Sequence, residues 1–250
     1  MSYSSRHIEI DLLRSLAIVL MVFFHLCFDL ENFYNWNIDT DHGLLWWIGR
    51  ISAVLFLLLV GISFSISWQR TTTRSNDSRL PLLASSFLLS YKKYFIRSMH
   101  LLSWALVISL LTAVAMPDEY IRFGILHLIG TATLLLPFFV FAKEWTVLLG
   151  IVCIALGSFT KTIIAGTPFL LPLGMMPLHF SSLDYYPLLP WLGVILIGLG
   201  AGQLLYVRKN FRSPMSGNIY ENLSIPGRYS LWIYLAHQPM LLAGLWLMHR

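Results

Sequence analysis

Seven stretches of about 20 mostly apolar residues run through the chain, at 12–30, 44–68, 95–116, 123–142, 146–165, 188–207 and 228–248. A helix of that length crosses the roughly 30 Å hydrocarbon layer of a bilayer. A water-soluble fold could not hide so much apolar surface. Hydrophobic residues make up 57% of the 250, and charged residues only 12%, where soluble domains average about 25% charged. The sequence therefore predicts an all-α, polytopic membrane helix bundle of about seven transmembrane helices, forming a single domain over 1–250. A weaker apolar patch, Leu80–Leu89, follows Pro81 and is expected to lie at the interface or to extend the third helix.

The connecting segments alternate in charge. Arg70, Arg74, Arg79, Lys92 and Lys93 lie in segment 69–94, Lys143 in the turn after the fourth stretch, and Arg208, Lys209 and Arg212 in 208–227. Between them fall the acidic connections, with Glu31, Asp39, Asp41, Asp118, Glu119 and Asp184 and the single loop cation Arg122. Loops rich in Lys and Arg stay in the cytoplasm. The N-terminus is thus expected inside, the C-terminus outside, and the protein in the cell's inner (plasma) membrane as a multi-pass chain. Trp46, Trp47, Trp145, Trp191 and Trp246 sit near the expected helix ends, where interfacial aromatics belong. The first stretch carries Arg14 and ends in Asp29 without a small-residue cleavage site, so it is expected to be a span, not a cleaved signal. The net charge of +5 forms no separate basic domain, which argues against nucleic acid as a partner. Cys27 and Cys153 sit in apolar stretches at a spacing that suits neither zinc nor a redox pair. Gly198 and Gly202 have the spacing of close helix packing.

Charged groups inside a bilayer cost at least about 2.5–3.5 kcal/mol each, so they need a reason. The first helix holds the densest set, Asp11, Arg14, His25 and Asp29. At 100° per residue, Arg14 and His25 fall within roughly 20° of one another around the helix, about 16 Å apart along it. Asp11 and Arg14 are an i, i+3 pair, and His25 and Asp29 an i, i+4 pair, so all four share one face. This is the pattern of a two-ended site. Arg14 lies near the basic end, where a phosphate-bearing anion would arrive. His25 lies deep, with Asp29 placed to orient one imidazole nitrogen while the other acts as a base. The structural alternative is that Arg14 pairs with Asp11 and His25 bonds within the bundle.

Two further histidines fall in expected helices: His127, four residues from the outer end of the fourth, and His237, beside Gln238 and the helix-kinking Pro239. His100 suits an interfacial role, and His7, His179 and His249 lie in loops or tails. His42 sits in the outer loop beside the site. Arg50 and Arg228 lie at helix ends, able to snorkel or to pair with a carboxylate. Asp184 is placed either on the surface or at the outer mouth.

Several of these segments resemble a known family. Ile10-Asp11-Leu12-Leu13-Arg14 followed by His25, an arginine, ten residues and a histidine, resembles the first helix of membrane acyltransferases. His25-Leu-Cys-Phe-Asp29, Phe123-Gly-Ile-Leu-His127, Asp184-Tyr-Tyr-Pro-Leu-Leu-Pro190-Trp191 and Gly227-Arg228 through Tyr234-Leu-Ala-His237-Gln238-Pro239 are similar to bacterial members of the heparan-α-glucosaminide N-acetyltransferase catalytic-domain family. The resemblance implies acetyl transfer from cytoplasmic acetyl-CoA, a donor substrate and not a bound cofactor, to a carbohydrate, glycolipid or other hydroxyl or amine acceptor on the far side. It implies Arg14, Asp11 and Arg228 on the acyl-CoA side and His25, Asp29, His127 and His237 in the chemistry. Arg50, His42 and Asp184 stand as accessory candidates. The lysosomal enzyme has an asparagine where His25 aligns and its proposed catalytic histidine in the first outer loop, where His42 is the nearest counterpart. A proton-coupled transporter would use the same intramembrane His and Asp residues, but the paired repeats of many transporters are not seen. A retinal protein would need a lysine in 228–248, which holds none.

Overall fold

In lipid a helix satisfies its own backbone groups, and every one of the apolar stretches takes that form. The computed structural model describes residues 7–76, 83–160, 162–209, 211, 215 and 217–248. Arg79, Arg212, His249 and the start of the Leu80–Leu89 patch lie outside them. The helices are α1 Ile8–Tyr34, α2 Gly43–Asn76, α3 Leu83–Ala115, α4 Ile125–Phe139, α5 Trp145–Thr160, α6 Leu188–Gly202, α7 Asn218–Leu223, α8 Ile225–Arg228 and α9 Ser230–Met248. Among the described residues there is no strand, only the isolated bridges Phe123–Tyr185 and Ile164–Met176. Six helical spans are long and apolar enough to cross a membrane. The chain is an all-α, multi-pass membrane protein. Its fifth apolar stretch, 146–165, yields the shorter α5, which stops at Thr160. The described part of the Leu80–Leu89 patch extends α3 at its N-terminus.

The residues divide into two units, Met1–Leu59 with Arg212–Arg250, and Val60–Phe211. In the first, α1 and α2 are antiparallel. Ser52 Oγ donates to the Ala17 carbonyl at 2.8 Å, and Gly49 packs on the Phe24 ring. By contrast α9 runs parallel to α1, with Gly227 beside Asp11, His237 beside His25 and Gln238 beside Asp29.

In the second unit, each helix reverses the one before it. Lys93 meets Thr71 and Tyr94 meets Ser67 between α2 and α3. Ser98 donates to the Gly130 carbonyl and Ser109 meets His127 between α3 and α4. Between α5 and α6, Val147 lies opposite Gly200 and Gly157 opposite Pro190, so α5 follows α6 along most of its length despite its 16 residues. Consequently Arg70, Lys92, Lys93, Lys143, Arg208 and Lys209 gather at one end of this unit. Asp118, Glu119, Arg122 and Asp184 gather at the other.

Small residues set these contacts, because without a hydrophobic force between lipid-bathed helices close backbone approach supplies the attraction. A Cβ on Gly150 would come within 2.6 Å of the Gly193 carbonyl oxygen. One on Gly202 would meet the Ile62 backbone at 2.8 Å, and one on Gly61 would meet Leu199 N at 2.6 Å. The Gly198–Gly202 spacing thus serves packing of α6 on α2. Gly193→Leu should lower thermal stability in detergent micelles, since overpacking costs about 1–3 kcal/mol. Gly244→Leu, at a position with nothing within 4 Å, should leave the melting curve unchanged.

Candidate active site

The polar face of α1 is met by the C-terminal segment at two levels. At the lower level Arg14 Nη1 donates to Asp11 Oδ1 at 2.9 Å, and Arg228 Nε lies 4.0 Å from Asp11 Oδ2. Two guanidinium groups therefore approach one carboxylate. The helix-to-helix distance here is fixed by Gly227. Its N–H donates to Ser15 Oγ at 2.8 Å, Ser15 Oγ donates to the Asp11 carbonyl at 3.1 Å, and a Cβ at Gly227 would overlap that carbonyl oxygen. Arg14 thus makes the expected pair with Asp11, and Arg228 joins it from the far end of the chain.

At the upper level two imidazoles meet edge to face, with ring centroids 4.8 Å apart. His25 Nδ1 lies 2.8 Å from the Met21 carbonyl, and His237 Nδ1 lies 2.7 Å from the Tyr234 carbonyl. A carbonyl only accepts, so both rings carry their proton on Nδ1 and present Nε2 as the basic atom. Orientation of His25 by Asp29, expected from their i, i+4 spacing, does not occur. Helical side chains lean toward the N-terminus, which turns the His25 ring back onto Met21 and away from Asp29. Asp29 Oδ1 accepts instead from Gln238 Nε2 at 2.7 Å. Asp29 is 0% exposed and His237 8%. Three buried atoms here have no hydrogen-bond partner: Asp29 Oδ2, Gln238 Oε1 and His237 Nε2. All three are acceptors, so this level is arranged to receive donor groups, hydroxyls or amines. Gln238 was not singled out from the sequence. The available signal was an amide inside an apolar helix, adjacent to His237.

The remaining candidates in this unit stand apart. His42 is exposed and 3.4 Å from Asp39, whose carboxylate accepts the backbone N–H of His42 at the start of α2. Arg50 stacks over Trp46, 5.1 Å from the ring centroid.

His127 and Asp184 belong to the other unit, where both serve the start of α4. His127 Nδ1 accepts the Gly124 N–H at 3.3 Å. Asp184 Oδ2 accepts the Ile125 N–H at 3.0 Å. Alongside, Tyr186 N donates to the Phe123 carbonyl and Leu183 N to the Glu119 carbonyl, both at 2.8 Å. Tyr185 gives its hydroxyl proton to the Leu171 carbonyl at 2.7 Å, and burial pushes its pKa up to about 12. Asp184 is thereby a cap and a loop clasp.

Asp184→Ala should cost about 0.5–2 kcal/mol in thermal unfolding, the range for a lost helix cap, with Asp184→Asn recovering most of it. The Tyr185 phenol, raised in the folded state, contributes stability that is fully present below about pH 10, where a free tyrosine ionises. That contribution is lost as pH rises toward 12. Tyr185→Phe should flatten this part of the stability profile.

The family model described as Heparan-alpha-glucosaminide N-acetyltransferase, catalytic, matches residues 6–239. No curated protein and no solved structure matches the chain.

Proposed function

The chain belongs to the heparan-alpha-glucosaminide N-acetyltransferase catalytic family, a membrane acetyltransferase family, and on that premise we propose that it moves an acetyl group from cytoplasmic acetyl-CoA to a hydroxyl- or amine-bearing acceptor across the membrane. The observation that carries this reading is the upper level of the α1–α9 contact. There, two imidazoles turned Nδ1-first onto backbone carbonyls stand beside buried acceptors that need donors, Asp29 Oδ2, Gln238 Oε1 and His237 Nε2. A carbohydrate or glycolipid supplies such donors.

His25 Nε2 takes the proton of the acceptor O–H or N–H as that oxygen or nitrogen attacks the thioester carbonyl carbon. The tetrahedral intermediate collapses, the C–S bond breaks, and the imidazolium returns its proton to the departing CoA thiolate. His237, in contact with the His25 ring, shares this proton chemistry. Asp29 and Gln238 hold the acceptor through Oδ2 and Oε1. At the lower level Arg14 and Arg228, kept in place by Asp11, receive the CoA phosphates. Guanidinium groups suit phosphate oxygens in charge and geometry. The separation of Arg14 and His25, about 16 Å along the helix, is one the pantetheine arm can span. The basic end of the bundle faces the cytoplasm, and the proposed location is the cell's inner membrane.

A proton-coupled transporter is the second reading, and the contacting histidine pair is the feature that favours it. Protein reconstituted in lipid nanodiscs separates the two. Wild type is expected to bind acetyl-CoA and to release CoA thiol when hydroxyl and amine acceptors are supplied. His25→Ala should keep donor binding and lose roughly 10²–10⁴-fold in turnover, the share of a general base. Arg14→Ala should weaken acetyl-CoA binding roughly tenfold, the loss of one charged hydrogen bond. A wild type that neither binds acetyl-CoA nor releases thiol with any acceptor sinks the proposal. Proton-driven solute flux in proteoliposomes without acyl-CoA would then favour the transporter.

A further inference from the structure

Helix α5 is too short to cross a bilayer by itself. Its 16 residues reach about 24 Å, against a hydrocarbon layer of roughly 30 Å. The chain that follows looks unlike an aqueous loop. From Thr162 to Leu183 it holds no Asp, Glu, Lys or Arg, and His179 is its one titratable residue. Its large apolar side chains point outward. Phe169 is 88% exposed, Leu178 71% and Ile164 65%, with Ile163 and Leu173 also exposed. On α5, before Lys161, Phe159, Leu156 and Val152 are exposed as well.

Several backbone N–H groups of this segment find partners within it or in the last turn of α5, as lipid demands of irregular chain. Ala165 N donates to the Met176 carbonyl at 3.0 Å, and Gly174 N to the Leu171 carbonyl at 3.0 Å. Thr162 N and Ile163 N return to the last turn of α5, at 3.1 Å each. A second acceptor site on Leu171 takes the Tyr185 hydroxyl. A short 3-10 helix, Pro168–Leu173, carries Phe169. Charge gathers where this segment is clasped to residues 119–124. Glu119 bonds Ser181, Asp184 bonds Ile125, and Arg122 stacks over Tyr120 and Phe180 at 4.7 and 5.2 Å. Arg over aromatic rings is how a cation is held at a membrane surface.

We infer that residues 162–183 are a membrane-inserted loop that completes the α5 crossing, with Phe169, Ile164 and Leu178 seated among the acyl chains of the adjacent leaflet. Lipid is the occupant because, past the single cation Lys161 after α5, the loop from Thr162 to Leu183 carries exposed apolar side chains and offers no charge to water. The clasp at Glu119, Arg122 and Asp184 marks the water boundary at this end.

Spin-label accessibility in nanodiscs tests this. Single cysteines are introduced at Phe169, Leu178 and Asp118 in a Cys27→Ser, Cys153→Ser background, with Phe159→Cys as the benchmark within α5. Nitroxides at 169 and 178 should collide more with oxygen than with an aqueous nickel chelate, as at 159, and the ratio should reverse at 118. Chelate access at 169 and 178 equal to that at 118 overturns the inference. So does spin–spin broadening that disappears on dilution with unlabelled protein, which would mean a second copy covers the loop. Phe169→Trp in the unaltered cysteine background provides a second measurement. Its added fluorescence should be quenched by lipids brominated in their acyl chains, and quenching by aqueous iodide instead would equally reject lipid contact.

Discussion

Inside a bilayer a polar group has no water to turn to, and each one must find its partner within the protein or from a ligand. That constraint organises both units. Helices close their own backbone bonds, and hydroxyls of Ser52 and Ser98 bond to carbonyls of neighbouring helices. Asp184 closes the start of α4 from a distant segment. Of the buried side-chain atoms without a partner among the described residues, Ser90 Oγ and Gln203 Oε1 lie singly, while Asp29 Oδ2, Gln238 Oε1 and His237 Nε2 lie together. A buried acceptor left open carries a desolvation cost of about 1–3 kcal/mol. Three of them lie in one place, where α9 meets the deep end of α1.

The fold was legible to the extent that it depends on hydrocarbon thickness. Long apolar runs located α1, α2, α3, α4, α6 and α9, because a span must be apolar over a fixed length whatever its neighbours. The end of α5 was not legible. Ile163 and Ile164 continue the apolar run, but hydropathy does not distinguish a helix from a lipid-bathed loop. Thr160 closes the last turn by bonding back to Gly157, and the pyrrolidines of Pro168 and Pro172 favour a 3-10 segment beyond it.

The site was half legible for a related reason. Helical periodicity places side chains on a common face, so the grouping of Asp11, Arg14, His25 and Asp29 on one side of α1 followed from spacing. Periodicity gives the face but not the tilt of each side chain along it. The ring of His25 leans back to Met21, and Asp29 is taken by Gln238. The partnership of α1 with α8 and α9 joins residues more than 200 positions apart, a distance over which local pattern carries no information. His127 and Asp184, each conspicuous as a polar residue near an apolar stretch, both turned to closing the first turn of α4.

The parallel pairing of α1 with α9 bears on how the protein is made. Helix α1 leaves the ribosome with a buried-type carboxylate and a histidine on one face, and their partners, Gln238 and His237, follow only after more than 200 further residues. Throughout synthesis of the intervening helices, that polar face must be sheltered by the insertion machinery, by water or by temporary neighbours. A nascent chain interrupted before α9 carries an exposed polar seam in the membrane, a mark by which quality control could recognise it as unfinished.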